Sequence, residues 1–165
     1  FEFAKGYRGA VLFIIGCYLL VPIGISEDNF NLSLASIAGI GLVSGNYFIQ
    51  PEPRFYIWIH TMGPLNFLME KTKTILYYSL LTIAPIAIIL SFYNPSRIGS
   101  IALMILAAIA FTEICMLAKY LAYPSEVNII AGLAMAGSIL FPPLMLVIIP
   151  IFYLKAYRRL DEYLR

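Results

Sequence analysis

The feature that most constrains this chain is a succession of apolar runs, each near or above the roughly 18 residues that mark a membrane-spanning helix. They extend over about 9–25, 32–50, 74–92, 98–121 and 127–154. Only 12% of the residues are charged and 61% are hydrophobic, whereas soluble domains carry about 25% charged residues. Backbone groups in hydrocarbon find no water to bond, so a chain of this kind closes its hydrogen bonds within helices. The sequence therefore predicts an all-α integral membrane protein, a polytopic helical bundle in a single transmembrane domain over 1–165. It has about five hydrophobic segments, the last kinked or re-entrant. Lys5 and Arg8 before the first run imitate a signal-peptide start, but no small-x-small cleavage site precedes Glu27 and Asp28, so the run is expected to be retained. With Phe at position 1 and no initiator Met, the chain reads as beginning mid-protein.

The runs differ in kind. The second carries Ser33, Ala35, Ser36, Ala38, Gly39, Gly41, Ser44 and Gly45, small residues that let helix backbones approach closely, so it is expected to face protein. Pro51, Pro53, Gly63 and Pro64 interrupt the pattern after it, and the aromatic stretch from Phe55 to Ile59 is too short to cross a bilayer. That segment reads as an interfacial connection. Pro85 falls inside the third run, where neighbouring helices can satisfy the freed carbonyl. Ser125, after Pro124, is placed as an N-cap for the last run. Gly132, Gly137, Pro142, Pro143 and Pro150 predict that this last run bends or breaks.

Lys and Arg concentrate on cytoplasmic flanks. This puts Lys5, Arg8, Arg54, Lys71, Lys73 and Lys119 inside, with Glu27, Asp28 and Arg97 outside. Five complete crossings would then send Lys155, Arg158, Arg159 and Arg165 outside and nearly erase the bias. If the last run enters and returns, turning near Pro142 and Pro143, Arg97 is alone outside among the 11 basic residues. Each limb is then shorter than a normal span. Both paths stay open at this level.

Among candidate functional residues, Glu113 stands out because an ionisable side chain inside an apolar run is costly. It serves a pathway or proton relay, contacts a partner subunit, or simply forms a hydrogen bond that locks two helices. The run Gly39 to Gly45 resembles a nucleotide-binding fingerprint, but no preceding strand supports that. Close helix packing through Gly39, Gly41, Gly45, Gly132 and Gly137 is expected instead. Arg54, His60, Glu70 and Lys71 mark the segment from Glu52 to Lys73 as a contact surface for a soluble partner, or as a plain aromatic belt. His60 is the only histidine, and Glu52 and Glu70 lack ligand spacing around it, so no metal site is expected. Cys17 and Cys115 both fall in apolar runs, where a thiol behaves as a small hydrophobe. Neither a disulfide nor a cofactor is anticipated. A net charge of +2 gives no case for nucleic acid. GxxxxGK[ST], HExxH and GxSxG do not occur, which leaves no motif for an enzyme.

From Asn46 to Leu164 the chain resembles the membrane permease subunit of ABC-type exporters of the second type. The resemblance rests on a run ending in Asn46-Tyr47-Phe48, then Pro53-Arg54-Phe55, then Pro64-Leu65-Asn66-Phe67-Leu68 and the charged Glu70-Lys71-Thr72-Lys73 opening another run. It departs from that family in showing five apolar runs where six are usual, and in carrying no ATPase. The likeness implies ATP-driven export by paired permeases with separate ATPase subunits, with Arg54, Glu70 and Lys71 near the coupling surface. The competing expectation is a non-catalytic structural subunit of a larger membrane complex, such as an energy-converting or secretion assembly, glued through its small-residue faces. Short loops point to a bacterial inner membrane as the setting, with the lipid bilayer and other membrane helices as partners.

Overall fold

A computed structural model describes residues 2–48, 63–125 and 127–164. Among these the protein is entirely helical apart from short connections: α1 (Glu2–Ser26), α2 (Phe30–Asn46), α3 (Pro64–Tyr93), α4 (Ile98–Ala122), α5 (Ile129–Leu140) and α6 (Met145–Leu164), with single 3₁₀ turns at Pro95–Arg97 and Pro142–Leu144. Three stretches are long and apolar enough to cross a membrane: Glu2–Ser26, Pro64–Tyr93 and Pro95–Ala122. The large side chains turned outward are themselves apolar, with Leu12 82% exposed, Leu103 69% and Leu106 65%. Such a surface is a liability in water and the normal one in lipid. The chain is an all-α membrane protein.

Helix boundaries depart from the apolar runs where capping chemistry or charge pairs extend or cut them. α3 begins at Pro64, about ten residues before the apolar run, because proline is pre-set for the first helical position. Its charged opening is held by the Lys73–Glu70 pair at 2.7 Å and by Thr74, whose hydroxyl donates to the Glu70 carbonyl at 2.8 Å. Residues 64–73 are thus helix rather than the expected connection, and 49–62, including Arg54 and His60, lie outside the described residues. α2 stops at Asn46, short of Gln50. Ser125 is not the N-cap of α5. That role falls to Asn128, whose side chain accepts from the Ala131 N–H at 2.8 Å, while Ser125 bonds back to the Ala122 carbonyl. The last apolar run is broken, as its prolines predicted: Pro142 and Pro143 supply no N–H to continue α5.

The chain divides into two compact units, Phe1–Tyr47 with Leu76–Ile109 and Phe48–Ile75 with Ala110–Arg165. In the first, Cys17, Val21, Ile37, Ile40, Ile83, Ile86, Leu90, Ile101 and Ala108 form the core. The α1–α2 turn is closed by Asp28 at φ 49 and by Asn29, which caps α2 through the Leu32 N–H at 3.1 Å. α2 buries mostly small residues, Ser33, Ser36, Gly41, Ser44 and Gly45 beside Ile37 and Ile40. A Cβ on Gly41 would lie 2.7 Å from the Ala108 Cβ, so only glycine permits this approach. Pro85 lies inside α3, and close to it Tyr18 of α1 donates to the Thr82 carbonyl at 2.6 Å, tying the two helices together. Tyr7 adds bonds to the Thr82 hydroxyl and, at 3.2 Å, to the Tyr78 carbonyl.

The second unit is built around the C-terminal half of α4. From Thr112 to Tyr120 every residue is buried, without a solvent or lipid face. A helix buried all round is packed on all sides. α6 covers it with one stripe, Met145, Ile148, Phe152, Ala156 and Leu160, all buried at three- and four-residue spacing.

Candidate functional site: a carboxyl inside the second unit

Within that buried stretch of α4 sit two ionisable side chains. Glu113 is 8% exposed and Lys119 2%. The Thr72 hydroxyl, on α3, donates to Glu113 Oε1 at 2.6 Å, at the short end of the O–H···O range, and no ion pair to Glu113 forms among the described residues. Two helices of one unit therefore bring polar groups to one level of an otherwise apolar bundle. Thr72 belongs to the charged turn that opens α3: Glu70 and Lys73 on that turn are exposed, while Thr72 points inward.

Lys119 is held differently. Its ammonium lies 5.7 Å from the Phe48 ring centre and 5.3 Å from that of Tyr120, an arrangement in which ring faces take part of the charge. Tyr120 in turn meets Phe67 edge-on, with centroids 5.2 Å apart. Lys71 lies over the Phe67 ring, 5.5 Å from its centre. Aromatic rings and cations thus gather at the end of the unit where α3 begins.

The residues singled out by sequence separate clearly. Glu113, Glu70 and Lys71 fall in the second unit, the first bonded to Thr72 and the others on the opening turns of α3. Gly39 packs against Cys17, whose sulfur would be 2.9 Å from an added Cβ, and Gly41 meets Ala108. Gly45 is buried in α2. Among the described residues close packing does not occur at Gly132, where an added Cβ would find no atom within 4 Å, and Gly137 meets only Leu144 at an ordinary 3.5 Å. These two glycines loosen a helix rather than seat a neighbour. The glycine-rich run from Gly39 lies inside α2, so its amides are spent on the helix and cannot cradle a phosphate. Among the described residues no three His, Cys, Asp or Glu side chains come together as a metal cage, and Cys17 and Cys115 are buried free thiols.

Sequence reasoning missed Thr72 and the aromatic setting of Lys119. A threonine in a charged turn carries no periodic signal for a carboxyl 41 residues away. A small cavity of about 120 Å³ at the α1–α2 turn, lined in part by Asp28, Ser33, Tyr93 and Asn94, has room for a few waters. Compared with known proteins, the chain matches no family model, no curated sequence and no solved structure.

Proposed function

We propose that this chain is a membrane-embedded subunit of an ATP-driven export system, forming the translocation pathway with a separate ATPase partner in a bacterial inner membrane. The observation that carries the reading is the single helical turn of α3 that is charged outside and polar inside. Glu70 and Lys73 offer an exposed surface of mixed charge, and Thr72 on the same turn holds the Glu113 carboxyl by a 2.6 Å bond. A soluble subunit pressing on Glu70 and Lys73 would displace Thr72 with them and change the setting of a carboxyl inside a span. Intramembrane carboxyls are expensive to keep and mark pathways and relays where they occur. The order of charged and aromatic residues through this region, which resembles that of exporter permeases, points the same way.

The test is purification from native membrane in mild detergent, followed by identification of co-purifying chains and by ATP-driven transport in vesicles. An ATPase subunit should accompany the chain, and Glu70→Lys should weaken its retention. Glu113→Gln should leave the complex assembled and lower transport at least tenfold. A stable assembly without any ATPase would instead favour the structural-subunit reading, in which the Gly41–Ala108 approach and the Thr72–Glu113 bond act only as helix glue.

A further inference from the structure

The contacts within the second unit fix the direction of three helix segments. On α3 and α4, Phe67 meets Tyr120 while Thr72 meets Glu113, so these segments run antiparallel. At the end of α4, the Arg159 Nε donates to the Tyr123 carbonyl at 3.1 Å, so the end of α6 lies beside the end of α4. The beginning of α3, the end of α4 and the end of α6 therefore share one end of the unit. With the ends of α4 and α6 together, the chain between them has to travel back along the unit. α5, with the 3₁₀ turn that follows it, makes that return.

The outer surface of α6 shows how deep the return goes. Leu146, Val147, Ile151 and Leu154 are exposed and apolar, and the next exposed positions, Lys155, Tyr157, Arg158 and Arg159, are basic or tyrosine, the residue types of the headgroup layer. The inward stripe continues past this change through Ala156 and Leu160, so the helix stays packed while its outer environment switches. That switch marks the edge of the hydrocarbon. From Lys155 back to Met145 is about 15 Å at 1.5 Å per residue, half of a hydrocarbon core of about 30 Å. α5, at 12 residues, covers about 18 Å. Both limbs thus reach about mid-depth.

We infer that the last apolar run does not cross the membrane: α5 enters from the side on which α3 begins, the turn at Pro142–Leu144 lies inside the bilayer, and α6 returns to the same side. Lys71, Lys73, Lys155 and Arg158 then face one headgroup layer, and these four basic residues mark that side as the cytoplasmic one.

Single-cysteine labelling tests this with the whole protein in sealed vesicles of either orientation and a membrane-impermeant thiol reagent. The parent protein, with both natural thiols buried, sets the background. Lys73→Cys and Ser96→Cys, at opposite ends of the spanning part of α3, define the two sides. Arg158→Cys should label only from the side that labels Lys73→Cys, by at least tenfold over the other side, and Phe141→Cys should not label from the side of Ser96→Cys. Should Arg158→Cys impair folding, Glu162→Cys one turn later reports the same position. Labelling of the tail from the Ser96→Cys side, or of Phe141→Cys from that side, would overturn the inference.

Discussion

Glu113 is a carboxyl taken out of water and given one hydroxyl in return. A buried polar group left unpaired costs about 1–3 kcal/mol, so the Thr72 bond is worth more for what it prevents than for its own strength. Thr72→Val keeps the side-chain shape and removes the donor. It should destabilise the protein by about 1–3 kcal/mol, seen as a lowered thermal midpoint in detergent, and Thr72→Ser should restore most of the loss. Equal stability in Thr72→Val would mean that the hydroxyl does not hold the acid. Glu113 itself was legible in the sequence, since an acid inside an apolar run announces itself whatever the fold. Its partner was not, because the bond joins α3 to α4 and depends on how two helices face each other. The burial of Lys119 was hidden for a related reason: lysine near a span end usually reaches for the headgroups, and only the surrounding Phe48 and Tyr120 rings reveal that this one is enclosed.

At the level of elements, composition located the helices and capping set their ends. The small-residue run of α2 was readable as a packing surface, yet which glycines pack closely depended on facing partners. Gly41 has Ala108 against it, and Gly132 has nothing. The two should respond oppositely to the same change. Gly41→Ala forces a contact of 2.7 Å to open and should cost about 1–3 kcal/mol, as overpacking usually does. Gly132→Ala adds no clash and should gain up to about 1 kcal/mol from helix propensity. Thermal unfolding of the two variants side by side checks the pair, and a loss at Gly132 would show that the site has a neighbour after all. Proline acts similarly by context. Pro64 and Pro142 end or begin elements, whereas Pro85 is absorbed inside α3, just after the Thr82 carbonyl to which the Tyr18 hydroxyl of α1 donates. Tyr18→Phe should therefore cost about 1 kcal/mol, and the same substitution at exposed Tyr77 should cost nothing measurable.

For the molecule as a whole, the decisive property is that its exterior is as apolar as its interior. Both units bury a tight core, but Leu103 and Leu106 on α4, Leu81 on α3 and Leu12 on α1 are exposed without penalty only if lipid covers them. In a water-soluble helical bundle an outward leucine is replaceable by aspartate at little cost, since surface substitutions rarely exceed about 0.5 kcal/mol. In a bilayer the same change near mid-span costs about 2.5–3.5 kcal/mol on insertion scales. Leu106 is the sharper position to use: it lies within the span Pro95–Ala122, is 65% exposed and has no core role to confuse the outcome. Leu106→Asp should sharply reduce the membrane-inserted fraction in a translocation assay, whereas Ser96→Asp in the connection before α4 should leave it unchanged. Normal insertion of Leu106→Asp would mean that this face meets protein instead of lipid, and a large partner subunit would then have to be sought along the outer side of α4.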